Sequence, residues 1–372
     1  MAQLKVFARR DRAALGLTSL RSLTIGVFGL VAVLGATVSA SVQAETLRLL
    51  TWGDYAPPDL IKKFKAETGI DVEVTLSNNE DMISKLRATG GAGYDLAQPS
   101  VDRIIGPAAE FKIYKPLDLT QIDTKQIDAK LLDAAKKSAG MDGKAYAVPY
   151  LWGTLGLVVD KKTAGDVKNV NDMCKDGHKG RIALRLKRTT LIIAAFANGD
   201  DPFAAYGDKA KYQKIIDKAG KTLADCKPNV KFFSTNSDQV VNGMTSGELH
   251  VFEGWDSHYF KLNQSNPNIA YVAAPYLGWI DTFALPAKGT NDAAAYKWIN
   301  FVNRPDNAAV IIDSAASASA AVGASAKAQS ATGKAIAAFY TPGVIASIKW
   351  FPPIPAGLEE MEGKILDSIQ AK

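Results

Sequence analysis

The chain has 372 residues, of which 47% are hydrophobic and 22% are charged, with a formal net charge of +6. These proportions are typical of a globular protein and exclude a disordered chain. The length is sufficient for two domains of ordinary size.

The first 44 residues predict an export signal. A basic start precedes the apolar run at 23–36, and Val42-Gln43-Ala44 has the small residues of a cleavage site, with Val38-Ser39-Ala40 as a second candidate. The alternative is an uncleaved membrane anchor. The segment holds five basic residues and one acid, so the rest of the chain carries 39 basic and 37 acidic residues. This near balance favours neither nucleic acid nor a membrane surface as a partner.

Strand and helix patterns alternate after this segment. The predicted elements are 47–52 (strand), 58–68 (helix), 71–76 (strand), 79–88 (helix) and 96–98 (strand). Such alternation predicts a mostly parallel sheet flanked by helices, which binds ligands beyond the carboxyl ends of its strands. Trp52 ends the first strand and Tyr55 follows it, while Ser100 and Asp102 follow the third. They are therefore candidate ligand contacts, although a lone Trp is more often a core residue.

Two longer patterns predict a second domain. The run at 145–161 is long enough to leave one domain and enter another, and 278–290 is the predicted return strand. Between them the chain has its own strand and helix alternation. We expect two α/β lobes joined by at least two crossing strands, with a cleft between them. Lobe 1 comprises 45–153 and 283–345, lobe 2 comprises 154–282, and 346–372 is a C-terminal segment assigned to neither.

Lobe 2 contains both cysteines, Cys174 and Cys226. Export to an oxidising compartment permits a disulfide between them, and their place in one segment favours it. The alternative is two buried free thiols.

Two tryptophans of lobe 2 are close in sequence to acids. Trp255 precedes Asp256, and Trp279 lies two residues before Asp281, on the same face of a strand. A carboxylate suits an ammonium group, and an indole face suits a cation or its methylenes. These four residues are candidates for binding an amine.

A cluster of basic residues in lobe 2 favours an anionic group on the ligand. The alternation at 182–187 predicts a strand with Arg185 and Lys187 on one face, and Arg188 precedes a helix that begins near Thr189 or Thr190. Cationic side chains at a helix N-terminus form a good anion site. The alternative is a solvated basic edge.

No pattern in the chain predicts catalysis. The three histidines lack metal-ligand spacing, and no phosphate-binding loop, dinucleotide fingerprint or nucleophile elbow is present. We expect no enzyme activity, metal or cofactor, and an exported hydrolase is the less favoured alternative.

Five stretches, in order, give the chain a resemblance to a known family: TWGDYAPPDLIKKFKAETGIDVEV, NEDMISKLRATGGAGYDLAQPS, YAVPYLWGT, GWIDTFALPAKG and WINFVNRPDNA. The chain resembles the periplasmic solute-binding proteins of ABC importers, in their spermidine/putrescine-binding branch. The resemblance implies a two-lobed α/β fold with the ligand in the cleft, a periplasmic location, and a membrane permease as partner. We expect a monomer.

The resemblance also implies roles for individual residues. Trp52 and Tyr55 match the family's aromatic pair, and Ser100 matches the serine after the third strand. Trp255 and Trp279 match the tryptophans of the second lobe, and Asp281 matches the acid that binds an amine.

The chain departs from the family at several of these positions. Lys187 and Thr190 stand where the family often has two acids, Asp102 replaces a loop tyrosine, and another tyrosine position falls near Ser317. A cation about 4 Å from a second ammonium costs about 4 kcal/mol at an effective dielectric of ~20.

We therefore expect a ligand with an amine held by Asp281 and an acid group held by Arg185, Lys187 or Arg188. The alternative is an ordinary polyamine, with Asp102 or Asp256 supplying the second charge.

Overall fold

The computed structural model describes residues 45–371. The signal peptide predicted for 1–44 lies outside the described residues. Among those described, no helix combines the length and apolar character that a membrane span needs.

The described residues form fourteen strands and fifteen α-helices. The strands are β1 (Thr46–Thr51), β2 (Asp71–Leu76), β3 (Leu96–Ala97), β4 (Tyr114–Lys115), β5 (Gly140–Met141), β6 (Lys144–Ala145), β7 (Val148–Asp160), β8 (Ile182–Leu184), β9 (Val230–Phe233), β10 (Val251–Trp255), β11 (Ile269–Phe283), β12 (Leu285–Pro286), β13 (Ala318–Ser319) and β14 (Lys349–Trp350).

The helices alternate with these strands over most of the chain. They are α1 (Pro58–Thr68), α2 (Asn79–Thr89), α3 (Ile105–Phe111), α4 (Ala129–Ser138), α5 (Lys161–Ala164), α6 (Val170–Met173), α7 (Arg188–Ala197), α8 (Lys209–Cys226), α9 (Ser237–Thr245), α10 (Asp256–Asn263), α11 (Asp292–Val302), α12 (Pro305–Ala315), α13 (Ala331–Phe339), α14 (Pro342–Ser347) and α15 (Leu358–Ala371).

The first sheet is parallel, in the order β2-β1-β3. The central strand β1 is buried, and its Leu47 and Leu49 share a core with Phe64 of α1 and Trp298 of α11. Because β1 and β3 run in the same direction, the segments that follow Thr51 and Ala97 emerge at one edge of the sheet. This edge carries the candidate residues of the first lobe.

The second sheet has the order β14-β11-β7-β10-β8-β9, with β13 also paired to β7. Strands β8, β9 and β10 are mutually parallel, whereas β7 pairs antiparallel with β10 and β11. Helices cover both faces: α7, α8 and α15 pack on one side, and α9 and α10 on the other. Burial on two faces accounts for the almost continuous apolar run of β7.

The long strand β11 connects the two sheets. Its residues Ile269 to Phe283 pair with β7, and at its carboxyl end Asp281 pairs with Ser100, while Ala284 pairs with Ala97 next to the first sheet. Strands β7 and β11 thus link two α/β units, which is the two-lobed architecture expected from the sequence. The lobe boundaries given above remain a prediction.

Two strand predictions were wrong in extent. The return strand begins at Ile269 rather than at Gly278, because β7 provides a partner along its length despite Pro275, with an irregularity between Val272 and Leu277. The strand expected over 182–187 ends at Leu184. Leu186 has a left-handed backbone with φ 49°, so Arg185 and Lys187 do not share a strand face.

A disulfide joins Cys174, which follows α6, to Cys226 at the end of α8, with their Cα atoms 5.0 Å apart. It closes a loop with a sequence separation of 52 residues within the second α/β unit. Neither of these cysteines is a free thiol, and the described residues contain no other.

Candidate functional site

Asp281 is the centre of a buried polar cluster. Its carboxylate accepts hydrogen bonds from the Ser100 hydroxyl at 2.5 Å (Oδ1) and from the Tyr55 hydroxyl at 2.6 Å (Oδ2). Burial raises the pKa of Asp281 to about 7, although both hydroxyls oppose the rise. Three segments that are far apart in sequence therefore meet at one carboxyl whose charge is poorly solvated.

The end of β1 positions Tyr55 for this contact. Asp54 adopts a left-handed backbone, with φ 65°, in the turn after the strand. Tyr55 then packs edge-on against Tyr150 of β7, whose hydroxyl donates to the Tyr55 carbonyl at 2.7 Å. Burial and the neighbouring carboxylate of Asp281 raise the pKa of Tyr55, so its hydroxyl remains a donor.

Asp256 is a second buried carboxyl, at the start of α10. It accepts hydrogen bonds from the hydroxyl of Tyr340 and from the backbone N–H groups of Thr154 and Ser257. Burial raises its pKa to about 7, as for Asp281. Both acids influence the Tyr55 hydroxyl electrostatically, which places them in one neighbourhood.

Aromatic rings surround these acids. Trp255 and Trp279 meet edge to face, with ring centroids 5.9 Å apart. The ring centroids of Trp52 and Tyr55 lie 6.5 Å apart, and the Trp52 indole N–H donates to the backbone carbonyl of Gln98 at 2.7 Å. The indole N–H of Trp279 is buried and has no acceptor among the described residues. The rings near the two carboxyls thus form a mainly apolar surface, in which the Trp279 N–H is a hydrogen-bond donor without a partner in the described part of the chain.

Gly153 of β7 allows Trp279 and Asp256 to approach the strand closely. A Cβ atom at this position would lie 2.7 Å from the Trp279 ring and 2.8 Å from the Asp256 Oδ1 atom. Such contacts are too close for any side chain, so glycine is required where the acid and the ring meet.

Arg185 lies beside the tryptophan pair. Its guanidinium stacks over the Trp255 ring, 4.8 Å from the centroid, and its backbone N–H donates to the buried Glu253 carboxylate at 3.1 Å. Within residues 45–371 the guanidinium has no ion-pair or hydrogen-bond partner. Lys187, by contrast, is exposed. Of these two cations, Arg185 is the one that lies close to the rings of Trp255 and Trp279.

Arg188 and Asp102 have partners of their own. Arg188 is buried, and its guanidinium lies 3.1 Å from the Glu362 carboxylate and 3.7 Å from that of Asp102. The Glu362 contact is an ion pair without hydrogen-bond alignment. Because their charges are matched within the protein, these two predicted ligand residues are less available than Arg185.

Sequence reasoning missed three residues at this site. Tyr340 follows α13, and its hydroxyl donates to Asp256 over a separation of 84 residues. The backbone N–H of Thr154 donates to the same acid. Glu253 accepts a hydrogen bond from the Thr190 hydroxyl at 2.7 Å and orients the segment that carries Arg185. Glu253 was recognisable only as an acid in an apolar strand. Nothing local in the sequence indicates the contact of Tyr340.

A small crevice lies elsewhere along β7 and β11, next to α7. It is lined mainly by apolar residues, including Ile193, Phe196 and Pro275, and by no acid. Such a lining gives an amine no counter-charge, so the cluster around Asp281 is the better candidate. Within the part of the chain that the structure describes, no group of three or more His, Cys, Asp or Glu side chains is arranged to hold a metal ion.

Comparisons with known proteins agree with this picture. A family model described as bacterial extracellular solute-binding protein matches residues 59–339. A spermidine/putrescine-binding periplasmic protein of Escherichia coli is 29% identical over 279 residues, covering 73% of this chain and 77% of the relative. Spermidine/putrescine-binding periplasmic protein 1 of Haemophilus influenzae is 30% identical over 274 residues, covering 72% and 73%.

A solved structure has the same fold. The TpPotD lipoprotein of Treponema pallidum superposes with a TM-score of 0.74 at 22% identity, covering 88% of this chain and all of that one. The relatives matched are solute-binding proteins rather than enzymes.

Proposed function

Because the chain belongs to the bacterial extracellular solute-binding protein family, we propose that it is the receptor of an ABC importer. In this proposal it captures a small amine-bearing solute in the periplasm and delivers it to a membrane permease. The names of its relatives support an amine ligand, since those proteins are described as binding spermidine and putrescine.

The observation that carries the proposal is the buried Asp281 carboxyl. It has two hydroxyl donors but no cationic partner among the described residues. A buried carboxylate without a counter-ion is costly, and an ammonium group would remove that cost. Trp279, two residues before it, and Tyr55 would enclose the ligand's methylenes.

We further propose that the ligand carries an acid group bound by Arg185. Two observations support this detail: the guanidinium has no partner of its own, and the buried indole N–H of Trp279 lacks an acceptor. A carboxylate oxygen would satisfy both donors. Lys187 and Arg188 become less suitable for this role, the first because it is exposed and the second because acids already neutralise it.

A second candidate ligand is a diamine. Asp256 supports it, because this acid is buried near Asp281 and has a similarly raised pKa of about 7. One ammonium would then bind Asp281 and the other Asp256. The two ligand classes share the site and differ in which side chain receives the second end.

Capture would proceed by closure of the proposed lobes, 45–153 with 283–345 and 154–282. By these boundaries Tyr55 and Ser100 belong to the first lobe, and Trp255, Asp256, Arg185 and Asp281 belong to the second, where Asp281 pairs with Ser100 across the boundary. A ligand that contacts both units favours the closed arrangement, whereas a ligand bound to one unit cannot drive closure.

Thermal unfolding of the purified protein with a ligand panel tests this function. The panel contains putrescine, spermidine, 4-aminobutyrate, longer and shorter amino acids, and small organic acids. A ligand at about a thousand times its Kd stabilises the protein by about 4 kcal/mol. Stabilisation by an amine-bearing compound supports the proposal, and stabilisation by organic acids alone contradicts it.

The substitution Arg185→Gln is expected to separate the two ligand classes. It removes the cation but keeps a polar side chain, so binding of an amino acid should weaken by about 10- to 100-fold, the range for loss of one charge-assisted contact. Diamine binding should be unchanged or stronger, because a repulsive charge is lost. Calorimetric titration measures both affinities.

Lys187→Gln is the matched control, because it removes a neighbouring exposed cation. Equal effects of the two substitutions on amino-acid affinity would contradict a specific role for Arg185.

A further inference from the structure

Two adjacent charged residues lie where the segment after β3 turns towards the second α/β unit. Asp102 and Arg103 belong to the short 3-10 helix Val101–Arg103, one residue beyond Ser100. Only 9% of the Asp102 side chain and 10% of the Arg103 side chain are exposed. Charged groups with so little access to water require partners.

Both residues have their partners in the other unit, where the acid Asp102 faces an arginine and Arg103 faces a glutamate. Asp102 lies 3.7 Å from Arg188, the first residue of α7, and Arg103 forms an ion pair with Glu359 on α15. Helices α7, α8 and α15 share one core beneath the second sheet. Two crossed ion pairs therefore join the two units; we refer to Asp102, Arg103, Arg188 and Glu359 as the clasp.

Each half of the clasp is also held within its own unit. Arg188 stacks over Phe351 and pairs with Glu362, which accepts a hydrogen bond from Tyr212. On the other side Arg103 lies 3.2 Å from Glu80 of α2. Both arginines thus retain a counter-charge if the units separate, so each unit can open without leaving an unpaired buried arginine.

We propose that the clasp stabilises the closed arrangement of the two lobes and thereby sets ligand affinity without contacting the ligand. The four residues are positioning residues. Their cross-unit pairs exist only when the lobes meet, and separation exposes Asp102 to water. The clasp also lies close to Ser100, whose hydroxyl donates to Asp281, so closing it brings the first unit's ligand contacts against the second.

Solution scattering of the ligand-free protein tests the clasp independently of ligand identity. Asp102→Asn and Glu359→Gln should each increase the radius of gyration, because the open population rises. Glu360→Gln is the matched control: this glutamate neighbours Glu359 on α15 but pairs with Lys364 of its own helix, and it should leave the radius unchanged. An unchanged radius in both clasp variants overturns the proposal.

Ligand affinity gives a second readout, which rests on the proposed function. The probe is putrescine or 4-aminobutyrate, whichever stabilises the native protein. The clasp variants should bind this probe about 5- to 20-fold more weakly, mainly because it dissociates faster. Such a loss is expected when closure of the lobes is no longer coupled to binding. Glu360→Gln should bind the same probe with native affinity, because its own partner is Lys364.

The outcomes separate the two hypotheses. If no amine-bearing compound of the panel binds, the proposed function fails while scattering still decides the clasp. If Asp102→Asn unfolds the protein, Glu359→Gln decides alone, since the Glu359 side chain is about half exposed. Clasp variants that bind the probe as tightly as Glu360→Gln does contradict a role of the clasp in ligand affinity.

Discussion

Asp281→Asn is expected to weaken the binding of an amine-bearing ligand by about 100-fold or more. The substitution keeps the shape of the side chain and removes the charge that an ammonium group needs. Loss of one partner from a buried, hydrogen-bonded charge pair costs about 2–5 kcal/mol, and each 1.4 kcal/mol is about tenfold in Kd. Calorimetric titration of the native and variant proteins with the stabilising amine measures the ratio.

The folded state should tolerate this change. Burial already disfavours the charged form of Asp281 and raises its pKa to about 7, so a neutral amide removes an electrostatic cost. The Ser100 and Tyr55 hydroxyls can donate to the amide oxygen or accept from its nitrogen. The melting temperature of the ligand-free variant at pH 8 should therefore equal or exceed that of the native protein.

Asp256→Asn is the matched comparison. An amino-acid ligand that uses only Asp281 should lose little affinity in this variant, whereas a diamine should lose a similar amount in both. An Asp281→Asn protein that is folded and binds with native affinity contradicts the placement of the amine.

The order of elements was predictable because local chemistry and tertiary packing agree in most of the chain. The strand and helix predicted at 47–52 and 58–68 form β1 and α1, where Pro58 begins the helix and Gly69 ends it in a left-handed conformation. The crossing strands were predictable from length and from an almost continuous apolar run. The path of the C-terminal segment was not, because α15 packs on α8, far away in sequence.

The candidate site was predictable only in part. Aromatic residues and acids at strand ends indicated Tyr55, Ser100 and Asp281, and the structure brings these three into hydrogen-bond contact over separations of 181 and 226 residues. The basic cluster was ambiguous, because a sequence records charges but not their partners. Arg188 is neutralised by Glu362 and Asp102, whereas Arg185 stacks on Trp255.

The two buried carboxyls imply a pH dependence that local pattern could not have indicated. Asp281 and Asp256 are ordinary acids in the sequence, and their pKa values rise to about 7 in the folded protein, mainly through burial. A carboxyl poised near neutrality binds a cation only after losing its proton. The protein would therefore exchange a bound proton for the ligand's ammonium group.

Amine affinity is expected to fall as the pH falls from 8 to 5. Below a pKa of about 7 each required carboxyl is increasingly protonated, so affinity should drop about tenfold per pH unit for one carboxyl and about 100-fold for two. An amino acid on Asp281 alone predicts the shallower dependence, and a diamine on Asp281 and Asp256 predicts the steeper one. Titrations at half-unit steps of pH distinguish them.

Ligand-free stability should change with pH in the opposite direction. The folded pKa of both carboxyls lies above the ordinary value of 3.8, so the stability they contribute is fully present below that value and is lost as the pH rises through about 7.

The substitution Asp281→Asn is the control for the pH dependence of affinity. If the variant's affinity no longer changes with pH, the dependence belongs to this acid. Burial lowers the pKa of His258 to about 3, so this histidine does not mimic a titration near 7. An affinity that is constant from pH 8 to 5 would mean that the ligand's amine binds to neither carboxyl.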